Sequence, residues 1–296
     1  MKRRRMATAF AASLLCAAAP AQLAEYGIEG LWVVSTRDAE VRGTVAPDGQ
    51  RIVWGSPDRA GGPGGGDLWQ ARLHDKRWTD PQPLPLDTAA EEAEPFFSAD
   101  GRWLYFASTR PGGRGGRDLY RAAVLPDGGF GTPQSLGDAV NTRGDERSPT
   151  PSADGRWLLF ASDGRKGAGG FDLYLAHWNG DAFADPHPLP GVNTAADETD
   201  AAWLDAGRAL MFSRGDAAAG TSRLWTAACD GRAYADAQPW ALSFNTEDAD
   251  TRAPVVDASK PAELLVTGTA RSPKAGKSDL YRALVPKTTG QDGCLL

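Results

Sequence analysis

Apolar residues fall in runs of four to seven, rich in aromatic and β-branched types, bounded by Asp-Gly, Asn-Gly or Gly-rich punctuation. The pattern is clearest from Glu92 to Arg121, EAEPFFSADGRWLYFASTRPGGRGGRDLYR. An acid and a proline precede a short run at Phe96 and Phe97, which ends in the turn Ala99-Asp100-Gly101-Arg102. A second run spans Trp103 to Ala107, a Gly/Arg loop follows, and Asp118-Leu119-Tyr120 opens a third. Runs of this length and composition predict antiparallel strands joined by hairpins, not helices.

The same unit recurs along the chain. Its turn slot falls at Asp48, Asp100, Asp154, Ala206 and Ser259, with spacings of 52, 54, 52 and 53. Its third-strand slot reads Asp67-Leu68-Trp69, Asp118-Leu119-Tyr120, Asp172-Leu173-Tyr174, Arg223-Leu224-Trp225 and Asp279-Leu280-Tyr281, and a threonine precedes each copy at Thr36, Thr88, Thr142, Thr194 and Thr246. Several short strands per repeat of about 50 residues predict an all-β β-propeller with five four-stranded blades. The repeats run about 37–88, 89–142, 143–194, 195–246 and 247–285 within a single domain, 22–296. The fifth lacks a fourth segment, and Gly30 to Thr36 stands unpaired ahead of the first. The expectation is a ring closed by an N-terminal outer strand, at about 28–36, that joins the last blade and removes an open edge.

Up-and-down strand order places the tight turns, Asp100-Gly101, Asp154-Gly155, Asp127-Gly128, Asn179-Gly180 and Asp230-Gly231, on one face. The longer, charged connections share the other face, where function is expected.

The first residues change the compartment. Lys2 to Arg5, an apolar stretch from Met6 to about Ala19, and Ala19-Pro20-Ala21 form a secretory signal at 1–21, with cleavage expected after Ala21. Anchoring through Cys16 is disfavoured by the bulky Leu15 before it. Removing this segment takes four positive charges and no acid, so the formal net charge moves from −6 to −10. Nucleic acid and anionic membranes are therefore poor partners. No later stretch is long and apolar enough to span a bilayer. The expected product is a monomer, periplasmic or secreted. In an oxidising compartment Cys229 and Cys294 either pair or remain two unremarkable thiols.

The candidate chemistry lies at the start of the innermost strands. Glu40, Glu92, Glu146 and Glu198 share one slot and Asp250 falls within one residue of it, so the five acids are expected to surround the mouth of the central channel. Such a ring could hold a cation or receive a partner's Lys and Arg side chains. Alternatively, each acid caps a turn or pairs with Arg114, Arg117, Arg165 or Lys277 on the same face. The Gly-rich loops at 61–67, 111–118 and 167–172 do not open helices as phosphate motifs require. Their glycines are expected to supply positive φ, with Asp67, Asp118, Asp172 and Asp279 binding the loop backbone. Trp54, Trp103, Trp157 and Trp203 are expected in the inter-blade core. His74, His177 and His187 lack metal-ligand spacing and no nucleophile elbow is present, so no catalytic residue, metal or cofactor is expected.

The pattern E-x-x-P-x-x-S-x-D-G, followed by an apolar strand and GG-x-GG-x-D-L-Y, resembles the WD-like propeller repeat of TolB-type proteins and OmpA-linked envelope proteins. The resemblance runs through 36–285 and is closest at Glu92 to Tyr120 and Glu146 to Tyr174. It weakens where Ala201, Ala206 and Arg223 replace Pro, Asp and Asp, and where Ser259 and Thr251 replace Asp and Glu. It implies a non-catalytic scaffold that binds an envelope protein or a glycan. The alternative is a carbohydrate-active enzyme using axial carboxylates, which must stand at a defined separation.

Overall fold

The computed structural model describes residues 25–216 and 219–295. The expected signal segment, with Cys16 and Ala21, lies outside them. Each repeat folds into one four-stranded antiparallel sheet, and the strand order from axis to rim follows the chain. The first blade is β2 (Val41–Val45), β3 (Arg51–Ser56), β4 (Asp67–His74) and β5 (Arg77–Pro83), and the second is β6 (Glu92–Phe97), β7 (Trp103–Ser108), β8 (Asp118–Ala123) and β9 (Gln134–Ser135). The third is β10 (Glu146–Pro151), β11 (Trp157–Ser162), β12 (Asp172–Trp178) and β13 (Phe183–Pro188), and the fourth is β14 (Glu198–Leu204), β15 (Ala209–Asp216), β16 (Thr221–Cys229) and β17 (Tyr234–Pro239). The fifth combines β18 (Thr251–Val256), β19 (Glu263–Gly268) and β20 (Asp279–Leu284) with β1 (Glu25–Ile28) from the other end of the chain. Inner strand touches inner strand around the axis until β18 meets β2. The molecule is a five-bladed β-propeller.

The closing strand lies upstream of the segment expected to supply it. β1 pairs antiparallel with β20, Ile28 opposite Tyr281, whereas 29–35 form turns. Gly30 and Trp32 take positive φ (55° and 69°), which breaks any extended run there. The apolar pattern at Leu31 to Val34 serves a different purpose. Val34 is fully buried in the seam between the last and first blades, while Leu31 and Trp32 face outward.

The core is divided among the seams. Five clusters, one per pair of neighbouring blades, gather the alternating inward residues of the second and third strands. Trp54 is fully buried, and Trp103, Trp157 and Trp203 pack partly buried against their clusters, so all four are inter-blade side chains. The seam between blades three and four also holds Cys229 and Cys294, which are disulfide-bonded.

Candidate functional site at the axial mouth

The slot acids are embedded. Glu40, Glu92, Glu146 and Glu198 are buried, and each carboxylate caps the threonine four residues before it. At Glu92 one oxygen accepts the Thr88 amide (2.7 Å), and the other accepts Thr88 Oγ1 (2.9 Å) and Ser108 Oγ (2.7 Å). Glu146 repeats the arrangement with Thr142 and Ser162. Arg110 adds a 3.1 Å ion pair to Glu92, and Arg214 replaces the serine at Glu198 (2.7 Å). Of the two roles left open by the sequence, these four acids have the geometry of the turn cap. Burial pushes Glu40 up to about 7, although the Thr36 bonds pull it down, and burial likewise raises Glu146.

In the fifth blade the matching position is Thr251, whose hydroxyl donates to the Phe244 carbonyl. Asp250 sits one slot earlier, like Asp145 and Asp197, and each accepts a backbone N–H from the start of the preceding blade's third strand or the loop that leads into it. None of the four expected basic partners bonds directly to a slot glutamate. Arg114 pairs with Asp138, Arg117 with Glu91 and Lys277 with Asp58, and Arg165 donates to the Ala139 and Val140 carbonyls.

The residues that do reach the axis stand two positions further on. Every inner strand is bulged there, and Arg42, Glu94, Ser148, Asp200 and Ala253 all adopt φ between 47° and 57°. The extra residue turns the glutamate into the seam and the residue two positions on toward the centre. Arg42 then crosses the axis. Its guanidinium is fully buried, 3.3 Å from Asp200 Oδ1, and donates to Thr150 Oγ1 (2.7 Å) and the Pro149 carbonyl. Ser148 joins two acids by donating its hydroxyl to Asp200 (2.5 Å) and its amide to Glu94 (2.7 Å). This network plugs the passage between the faces. Desolvation lowers the Arg42 pKa, against which Asp200 and Glu94 hold the charge.

Above the plug, on the long-loop face, lies a blind funnel formed by adjoining cavities of about 260 and 150 Å³. Arg147 and Arg252, next to the bulge, share its wall with Glu94, Thr199 and Arg117. Arg117 is tied to Glu91 (2.5 Å), Arg147 to Asp145 (3.3 Å) and Arg252 to Asp250 (3.3 Å), while the buried Nε atoms of Arg117 and Arg147 have no hydrogen-bond partner among the described residues. Burial pulls the Arg117 guanidinium down, but Glu94, Glu91 and Asp145 together leave it raised. Sequence reasoning missed Arg42, Glu94, Ser148 and Asp200. Their signal was a slot that repeats in position while changing in chemistry.

The Asp of the third-strand slot does bind loop backbone, as at Gly64, Arg114, Gly169 and Ala275. The glycines mainly serve close approach rather than positive φ. A Cβ on Gly169 would lie 2.1 Å from the Ala196 carbonyl oxygen of the next connection, and one on Gly64 equally close to that of Ala90. The first blade departs from this frame by a carboxylate. Asn141, Asn193 and Asn245 bracket the third strand by accepting from one leucine's N–H and donating to its carbonyl, but the equivalent residue in the first blade is Asp87. Asp67, Asp87 and Glu92 place carboxylate oxygens within 4.8 Å of one another, the only trio so compact among the described residues. Burial, with Asp67 and Glu92 adding to it, pushes Asp87 up to about 8.

No family model matches this chain, and no curated protein matches it. Solved structures do. TolB from Acinetobacter baumannii superposes with a TM-score of 0.50 at 15% identity over 75% of this chain, which spans only 47% of that protein's length. TolB from Agrobacterium tumefaciens gives 0.50 at 13% identity, covering 84% of this chain and 91% of that one. An endo-arabinase from Bacteroides thetaiotaomicron gives 0.55 at 15% identity over 91% and 99%. The likeness is one of fold. A fold does not fix a function, so function rests on the site.

Proposed function

We propose that this protein is a non-catalytic binding module of the cell envelope that takes a protein or glycan partner at the axial funnel. The observation that carries this reading is the blind funnel, sealed by Arg42 and walled by the guanidinium groups of Arg117, Arg147 and Arg252. The Cys229–Cys294 disulfide supports an oxidising compartment, and the TolB likeness supports an envelope setting. Arg147 and Arg252 are partly exposed and belong to no seam cluster, so Arg147→Ser with Arg252→Ser should keep the fold, which circular dichroism checks. Cross-linked capture from an envelope extract tests the reading: the wild type should retain a partner that the double variant loses, and equal retention would overturn it. The hydrolase reading draws on the endo-arabinase likeness and on Glu94 and Asp200, two carboxylates anchored to opposite ends of Ser148. It requires glycan turnover that Glu94→Gln abolishes in a folded protein. The binding reading requires no turnover in either.

A further inference from the structure

The fourth residue of the third-strand slot is Gln70, Arg121, Leu175, Thr226 and Arg282 in the five blades. The two arginines have opposite surroundings. Arg282 is held by Glu29 (2.6 Å), Asp257 (2.6 Å) and Glu263 (2.8 Å), which outweigh burial and raise its pKa. Arg121 has no carboxylate partner among the described residues. Its guanidinium lies over two indoles, 4.2 Å from the Trp103 ring centre and 4.9 Å from that of Trp178, beside Tyr105. Contact with two aromatic rings holds the guanidinium and displaces water from it, while no carboxylate among the described residues meets its N–H groups.

Arg121 belongs to a cleft of about 390 Å³ between blades two and three, on the tight-turn face opposite the funnel. Tyr105 and Phe183 complete its aromatic wall. Two turns of identical design flank the mouth, where Arg102 pairs with Asp100 and Arg156 with Asp154, both at 2.6 Å. Those pairs neutralise each other, so the Arg121 charge is left over.

We infer that this cleft is a binding site for an acidic sugar of the hexuronate class. A planar guanidinium matches a carboxylate through two parallel hydrogen bonds. Aromatic walls suit the apolar face of a sugar ring, and the volume suits one or two rings rather than a folded partner. The site is independent of the funnel, so either proposal can fail alone.

D-glucuronate titrated against the full protein should give saturable binding and a change in tryptophan fluorescence, because Trp103 and Trp178 line the site. Glucose, which lacks the charge, and acetate, which lacks the ring, should each bind at least about tenfold more weakly, the loss expected for an unmatched charged hydrogen bond. Arg121→Gln should lose affinity to the same extent, and Arg121→Lys should recover only part of it. Ala153→Trp, on an exposed turn at the mouth, blocks the cleft without touching Arg121 and covers the case in which the arginine variants do not fold. Absence of saturable glucuronate binding, equal binding of glucose or acetate, or unchanged binding in folded Arg121→Gln or Ala153→Trp would overturn the assignment.

Discussion

Arg42 and Asp87 both occupy repeated slots, and in both the repeat is broken by charge. At the axis the change is compensated, since Asp200 and two oxygen acceptors receive the guanidinium. In the first blade it is not, because Asp87 brings a carboxylate where three other blades use an amide. The Glu slot was legible in the sequence and its burial was not. A single bulge residue exchanges the side chains facing seam and axis, and nothing in E-x-x-P marks the bulge. Asp87 gives a prediction whose sign follows from linkage. Its pKa is 3.8 ordinarily and about 8 in the fold, so below 3.8 both states are protonated and its contribution is fully present. From there to pH 8 the unfolded chain releases a proton that the native protein keeps, and stability falls. Asp87→Asn, measured by denaturant unfolding in EDTA, should leave stability near pH 4 unchanged. At pH 8 it should add on the order of 4 kcal/mol. An equal effect at both pH values would mean that packing, not the proton, separates the two side chains.

Among the elements, inner and middle strands announce themselves and outer strands do not. β7 and β11, WLYFAS and WLLFAS, are buried over most of their length and read as strands from composition alone. β5 and β13, RWTDPQP and FADPHP, lie at the rim, where one face meets water and proline is tolerated. With no apolar alternation at the rim, the ring-closing strand leaves only a missing segment as its signal, and the apolar run nearest the gap is not β1. That run belongs to the connection, where Ser35 replaces the bracketing amide by accepting from the Leu280 N–H. The structure therefore separates two changes that the sequence placed together. Removing 25–29 deletes the β1–β20 ladder and the Glu29 partner of Arg282, and should lower the melting temperature by about 10 °C, corresponding to a loss of roughly 3–5 kcal/mol. Leu31→Ser with Trp32→Ser alters exposed side chains of the connection and should move it by no more than about 2 °C. Circular dichroism melts of both variants decide whether closure lies in the strand or in the apolar run.

The whole ring has no central core, only five seams, so its cooperativity depends on the two ends of the chain being fastened. The five-fold period was readable because each blade must satisfy the same neighbours, whereas the fastening was open in the sequence, since two cysteines can pair or not. The N-terminal strand fastens blade five from outside. The C-terminal tail passes back to blade four, where Gln291 donates to the Cys229 carbonyl and Cys294 bonds to Cys229 within the seam between blades three and four. The bridge spans 65 residues and encloses β17 through β20. Closing a loop of that length removes unfolded-chain entropy worth roughly 4 kcal/mol. Because three of the enclosed strands, β18 to β20, form the blade that β1 completes, loss of the bridge should act there before elsewhere. Cys229→Ala with Cys294→Ala should lower the melting temperature by about 10 °C. Amide exchange in the variant should speed up first in β18 to β20, while β7 and β11 stay protected. Uniform acceleration across all five blades would show that the ring opens as one unit and that the bridge acts only on the unfolded chain; an unchanged melting temperature would show that the seams alone hold the ends.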